Sequence, residues 1–271
     1  MICAGMKIAT YDLLERVRQQ RPLIHHLTNW VTIYDCAQVV KTLGASPVMA
    51  HAQEEAADMS GIASALVLNI GTLTVDFVEA MKIAARSANQ KRIPVILDAC
   101  GAGATALRDR KCLELLDSAR VDIIKGNRSE IARVSGLSVQ TKGVDATHVE
   151  GDLSLIARTL AQTRKATVVI TGQEDLVTDG RTFYRVANGH PLMTTVVGTG
   201  CMAASVIGTF AAVETNLPLA AACALSCYGV AGELAGERSA GPASFKRWLF
   251  DSLYRLDRAT MEARQKLAEE A

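Results

Sequence analysis

These 271 residues contain no basic block, no metal-type cysteine spacing and no apolar run of bilayer length. Lys and Arg number 29 against 28 Asp and Glu, and these charges are scattered without a stripe, for a formal net charge of +1. That argues against a nucleic-acid or anionic-membrane partner. Seven cysteines stand at 3, 36, 100, 112, 201, 223 and 227. Their odd number and the lack of any CxxC pair speak against a disulfide framework or a zinc finger, and a reducing, cytoplasmic compartment is expected. Residues 1–23 reach charged positions within the first helical pattern and carry no signal core. Met6 is an alternative start, because residues 1–5 contribute no pattern. The most apolar stretch, 202–213, is followed by Glu214, Asn216 and Pro218. It falls short of the roughly 20 residues that span a bilayer and reads as a buried helix. Internal repeats, low-complexity tracts and flexible linkers are also missing.

What is present is a hydrophobic content of 49%, enough for a single compact domain over 1–271. Short β-branched runs at 65–70, 94–97, 121–124 and 167–170 lack polar alternation and are too short for helices, so they read as buried parallel strands. Helical spacing occupies 75–90, 106–119, 129–136 and 152–164. This alternation predicts an α/β fold, a mainly parallel sheet with helices on both faces and right-handed crossovers. Asp179-Gly180 between two strand-like runs predicts a hairpin over 175–188. Two Ala-rich helices at 200–213 and 217–233 follow, then a charged amphipathic helix from Phe245 onward.

Ligands of open parallel sheets bind beyond the carboxyl ends of the strands. At those ends stand Asn69, Gly71 and Thr72; Asp98 followed by Gly101 to Ala104; Lys125, Gly126, Asn127 and Glu130; and Thr171-Gly172. A glycine-rich turn, Val197-Gly198-Thr199-Gly200-Cys201, runs into an Ala-rich helix. Such a turn presents backbone N–H groups and the positive end of a helix dipole, which suits a phosphate in transfer. Tight packing is the plainer reading of the same glycines, and taken alone the motif leaves both open. Asp98 and Glu130, at neighbouring strand ends, have the chemistry to organise magnesium on nucleotide phosphates. Turn chemistry for Asp98 and a dipole-facing carboxylate for Glu130 are their structural alternatives.

Together these residues carry a resemblance. The Asn127-Arg128-Ser129-Glu130 element and a glycine turn ending in a reactive residue resemble the ribokinase-like kinases, in which that residue is usually Asp. Cys201 in its place resembles the hydroxyethylthiazole kinases. So do residues 24–29 (IHHLTN), 43–49 (LGASPVM), 68–73 (LNIGTL), 125–130 (KGNRSE) and 169–172 (VITG). The match covers about 22–245. It implies a ribokinase-like fold and ATP-dependent phosphorylation of hydroxyethylthiazole. It further implies Met49, Gly198 and Asn29 at the substrate, with the Asn29 amide bonding the ring nitrogen. Lys125 and Thr171 would meet ATP, Thr199 and Gly200 would form the anion hole, and Asp98 and Glu130 would organise Mg2+. Cys201 would be the general base, since a free thiol near pKa ~8.5 is lowered at a helix N-terminus. A homotrimer with active sites between subunits is implied as well.

The sequence departs from that family where Lys125 replaces Arg, keeping the charge but losing the bidentate fork. Asp98 also lacks a following proline, and Ala243 replaces a glycine. Elsewhere, His25 and His26 are adjacent in an extended segment and so point apart, which favours packing over metal binding. Cys223 and Cys227 share a helical face and read as core. Trp30 and Tyr34 suit either stacking on a heterocycle or a subunit contact. Competing readings are a kinase for a related alcohol, a nucleotide-binding regulator without catalysis, and a nucleotide-dependent lyase on the same fold.

Overall fold

The computed structural model describes residues 9–136 and 153–270, so the alternative start at Met6 lies outside the described residues. The first half of the chain alternates α1 (Thr10–Gln20), β1 (Leu23–Leu27), α2 (Ile33–Thr42), β2 (Ser46–Val48), α3 (Gln53–Ile62), β3 (Ala65–Asn69), α4 (Val75–Lys91), β4 (Val95–Asp98) and α5 (Ala106–Ser118). It continues with β5 (Ile123–Asn127), α6 (Arg128–Val134), α7 (Leu153–Arg164), β6 (Thr167–Thr171), β7 (Asp175–Thr178) and β8 (Phe183–Val186). A 3-10 turn (Pro191–Thr195), α8 (Thr199–Ala211), α9 (Leu217–Gly236), α10 (Pro242–Arg255), α11 (Arg258–Arg264) and β9 (Leu267–Glu270) complete it.

One nine-stranded sheet runs in the order β2-β1-β3-β4-β5-β6-β7-β8-β9. Pairings from β2 through β6 are parallel, and those from β6 through β9 are antiparallel. The central strands are buried on both faces, which explains why their sequences show no polar alternation. Their side chains still divide by period two. Leu66 and Leu68 of β3 join the core beneath α3, α4, α5 and α7, whereas Val67 joins the core beneath α1, α2, α8, α9 and α10. Removal from water of a large side chain such as Phe210 in α8 contributes about 2–3 kcal/mol.

The four expected parallel strands and the hairpin are present, all within two residues of their expected bounds except β5, which runs three residues further than expected. Two departures stand out. The tail after Phe245 is two helices and an edge strand, because β9 is exposed and acidic and becomes a strand only by pairing with β8. The longest apolar element is α9, beyond the stretch noted in the sequence. By length and composition it passes for a membrane span, yet 72% of its apolar window is buried within this molecule.

Several helix starts follow side-chain capping. Thr74, Thr105 and Asn216 accept backbone N–H groups three residues on, and Asn127 with Glu130 forms a reciprocal capping box. At α8 the cap residue is Gly198, with no side chain to occupy the first amides.

Candidate active site

The connection after β1 leads to α2 on one face of the sheet, and that after β3 leads to α4 on the other, which opens a crevice between the carboxyl ends of β1 and β3. Asn29, just beyond β1, and Asn69, the last residue of β3, meet there with Asn29 Nδ2 3.1 Å from Asn69 Oδ1. The helix that points into this region is α8. Its first α-helical bond is Met202 N–H to Gly198 O at 2.8 Å, so the amides of Thr199, Gly200 and Cys201 precede the helical ladder. Gly198 makes this approach feasible. Its φ is +92°, and a Cβ there would sit 2.4 Å from Thr32 Cγ2.

A continuous polar chain threads the strand ends. Thr32 donates from N and Oγ1 to Asn29 Oδ1 at 3.1 and 3.0 Å, fixing the amide's orientation. Asn29 Nδ2 then donates to Cys201 Sγ at 3.0 Å as well as to Asn69. Asn69 Nδ2 donates to Asp98 Oδ2 at 2.8 Å, and Lys125 Nζ donates to Asp98 Oδ1 at 3.1 Å and to Gly200 O at 3.0 Å. The chain therefore closes on the first turn of α8. Each of its side chains is buried, so every side-chain polar atom left unpaired would be costly.

This setting shifts the titrating groups. Cys201 is brought down to about 5, first by the hydrogen bond from the Cys100 thiol, against burial, with help from the Lys125 ammonium and from Thr32 and Asn29. Burial pushes the Asp98 carboxyl up, against the pull of Lys125. Burial opposes the charge on Lys125, but Asp98, Glu130 and Cys201 outweigh it and hold the lysine above its ordinary value. Lys125 thus remains an ammonium with two of its three protons committed.

Glu130 is fixed at both oxygens, Oε1 accepting Gly101 N–H and Oε2 accepting Asn127 N–H, each at 2.7 Å. Among the described residues no three His, Cys, Asp or Glu side chains form a metal cage. Two carboxylates with part of their lone pairs already engaged fit a magnesium ion held mainly by phosphate oxygens and water.

Beside α8 opens a cavity of about 830 Å³. Thr171, Gly172, Asp175, His190, Thr199 and Tyr228 are among its lining residues. That volume accommodates a nucleotide. Thr171 Oγ1 donates to Gly126 O at 3.4 Å, tying β6 to β5 at the cavity mouth. Thr199 Oγ1 donates to Met193 O at 2.8 Å, so its hydroxyl anchors the 3-10 turn while its amide remains at the helix start. Asp175 accepts Gly172 N–H at 3.0 Å, and burial raises its pKa to about 7.

The structure brings Asn29, Asp98, Lys125, Gly198, Thr199, Gly200 and Cys201 together, with Glu130 joined through Gly101, and it puts Thr171 in the adjoining cavity. Met49 stands apart, half-buried beyond β2 at the sheet edge. The Asn29 amide is fully engaged by Thr32, Cys201 and Asn69, which leaves it no spare proton for a ring nitrogen. Sequence reasoning missed Thr32 and the residues of the 3-10 turn, whose only signal was proximity to the glycine turn. His25 and His26 are packing groups. His25 bonds Ser60 Oγ and Ala50 O at 2.9 and 2.6 Å, and His26 bonds Ile24 O and Ser205 Oγ, both at 3.1 Å. Cys223 and Cys227 are wholly buried, and Trp30 packs against His51 and Phe77.

A sequence model described as the Hydroxyethylthiazole kinase family matches residues 14–259. A protein of Methanosarcina mazei named hydroxyethylthiazole kinase is 52% identical over 94% of this chain and 98% of its own length. One of Chloroflexus aurantiacus with the same name is 48% identical over 90% and 91%. The solved structure of a hydroxyethylthiazole kinase protein from Pyrococcus horikoshii superposes with a TM-score of 0.87 at 38% identity, covering 97% of this chain and 99% of that one. A ribokinase-like superfamily protein of Enterococcus faecalis shares the fold at a TM-score of 0.63 and 16% identity, over 93% of this chain and 97% of its own.

Proposed function

This chain belongs to the hydroxyethylthiazole kinase family, and from that premise we propose that its site transfers the γ-phosphoryl group of ATP to the primary alcohol of 5-(2-hydroxyethyl)-4-methylthiazole, a step of thiamine biosynthesis or salvage. The observation that carries the reading is the position of the Cys201 sulfur. It lies in the first turn of α8, beside the nucleotide-sized cavity, and is bonded to the Asn29 amide in the β1/β3 crevice. An alcohol in the crevice and a triphosphate in the cavity would meet at that turn.

Phosphoryl transfer asks a protein mainly for positioning and charge stabilisation. The free amides of Thr199, Gly200 and Cys201 present donors and the helix dipole to the moving phosphoryl oxygens. Lys125 adds positive charge from beneath Gly200. Asp98 and Glu130 would hold Mg2+ through water, and bound there it would offset charge on the phosphate oxygens. Thr171 borders the nucleotide. Cys201, ionised near neutral pH, accepts the hydroxyl proton as the alcohol oxygen attacks the γ-phosphorus and ADP leaves. Lys125 in place of arginine fits this arrangement because its single point charge reaches both Asp98 and the Gly200 carbonyl.

Met49 and Gly198 complete the substrate site in this reading through a homotrimer with interfacial active sites. Its support is the exposure of Val31, Tyr34 and Val197 around the crevice, at 69%, 73% and 71%. We take 1–271 as one ribokinase-like domain working in the cytoplasm.

The deciding experiment is turnover of 5-(2-hydroxyethyl)-4-methylthiazole with ATP and Mg2+, the phosphate ester detected by mass. Folded protein that binds ATP yet makes no ester would overturn the reading and favour a regulator. Cys201→Asp retains turnover, because its carboxylate is ionised at neutral pH, and Cys201→Ala loses it. If both variants matched wild type, Cys201 would not be the base.

A further inference from the structure

We propose that Arg108 is a positioning residue for the metal-bound nucleotide, acting through two peptide planes to hold Asp98 and Glu130 in place. Its position runs against local electrostatics. Thr105 caps α5 by accepting the Arg108 N–H at 3.3 Å, so Arg108 stands in the first turn, where the helix dipole disfavours a cation. Side chains of a helix lean toward its N-terminus, and this one reaches back over the strand-end loops. Nη1 donates to Ile70 O at 2.9 Å and to Cys100 O at 3.3 Å, and Nη2 donates to Gly71 O at 2.7 Å. One guanidinium thus ties the loop after β3 to the loop after β4.

Those carbonyls matter for what their peptides carry on the far side. A trans peptide is planar, with C=O and N–H pointing in opposite directions, so a held carbonyl fixes the aim of the amide in its plane. No described peptide bond is cis. In the Ile70–Gly71 plane the carbonyl is on Arg108, and the Gly71 N–H donates to Asn69 Oδ1 at 2.8 Å. Asn69 Nδ2 in turn holds Asp98 Oδ2 at 2.8 Å. In the Cys100–Gly101 plane the carbonyl is again on Arg108, and the Gly101 N–H donates to Glu130 Oε1 at 2.7 Å. A single nitrogen, Nη1, therefore stands behind both acids.

Gly101 admits this contact. Its φ is +78°, and a Cβ there would lie 2.8 Å from Arg108 Nη1. Asp109, next in the same turn, secures the other end of the loop, accepting Gly103 N–H at 2.7 Å and Arg133 Nε–H at 2.8 Å.

The inference rests on the proposed magnesium role of Asp98 and Glu130, and the test keeps it apart from the kinase reading. ADP affinity is measured by calorimetry in Mg2+ and again in EDTA, for wild type, Arg108→Ala and Arg108→Lys, with ester formation assayed alongside. Wild type is expected to bind ADP more tightly with Mg2+. Arg108→Ala should weaken binding in Mg2+ by about 10- to 100-fold, as for a partner behind a metal-binding carboxylate, and leave the affinity in EDTA unchanged. The Mg2+ concentration for half-maximal turnover should rise in parallel. Arg108→Lys keeps the charge but ends a bond short of Nη1 and lacks the fork, so it should fall between the two. Equal losses with and without Mg2+ would make Arg108 a support of the fold only and overturn the proposal. So would a wild-type affinity indifferent to Mg2+, or Arg108→Lys matching wild type in Mg2+. A Mg2+-dependent loss in a protein that makes no ester would refute the kinase reading and leave Arg108 behind the two acids.

Discussion

Asn29 Nδ2 lies 3.0 Å from Cys201 Sγ, and the same nitrogen lies 3.1 Å from Asn69 Oδ1, so one amide joins the first turn of α8 to the end of β3. With Thr32 fixing its oxygen, this amide can only donate toward the sulfur, which favours the thiolate. Asn29→Ala is expected to lower kcat about ten- to a hundredfold, the equivalent of losing one hydrogen bond to an ionised group. KM for ATP should stay nearly constant because the cavity is lined by other residues. Steady-state kinetics check this, and a change confined to KM would contradict it.

Gly198→Ala tests the close approach of the turn. The new Cβ would lie 2.4 Å from Thr32 Cγ2 at a backbone φ of +92°. The left-handed conformation alone costs about 1–2 kcal/mol for a residue with a Cβ. The variant should melt earlier and lose kcat, because Thr32 must move and it orients Asn29. Adding Thr32→Ser removes the clashing methyl while keeping the hydroxyl, and should recover part of both, as read by thermal unfolding and turnover.

The Lys125–Asp98 pair is buried on both sides, at 5% and 1% side-chain exposure. Lys125→Met leaves the carboxylate without its counter-charge and should cost about 3–5 kcal/mol in denaturant unfolding. The double variant Lys125→Met, Asp98→Asn should regain most of that stability, since no buried charge remains unpaired. It should not regain turnover.

His26 sets an acid limit on the fold. Full burial lowers its pKa from 6.5 to about 3. The unfolded chain therefore binds this proton first as pH falls. The contribution is fully present above pH 6.5 and is lost progressively toward pH 3, by a total of about 5 kcal/mol. Urea unfolding at pH 7, 5 and 4 should show the decline, and His26→Gln should show a shallower one. Parallel slopes would place the acid sensitivity elsewhere.

Most of the parallel sheet was legible because buried strands announce themselves as short β-branched runs between helical spacings. β1 was not read as one, since His25 and His26 interrupt its apolar character; Ser60, Ala50 and Ser205, brought from distant elements, satisfy them there together with the local Ile24 carbonyl. β9, with the sequence LAEE, carries no strand signal and forms by completing the edge of β8. The glycine turn, Asp98, Lys125, Glu130 and Cys201 were readable as strand-end and helix-start residues. Thr32 was not, because nothing in its local spacing reveals which group it faces.

The sequence by itself determined the α/β class, the strand ends where chemistry collects and a helix start without a capping side chain, because these follow from local periodicity and from glycine's conformational freedom. Tertiary structure alone decided that Asn29 spends its amide on Cys201 and that Lys125 lies between Asp98 and Gly200. Each of those contacts joins residues 27 to 172 positions apart. Such pairings are set by the order of strands in the sheet and the crossing of α8 over it, which no local pattern encodes.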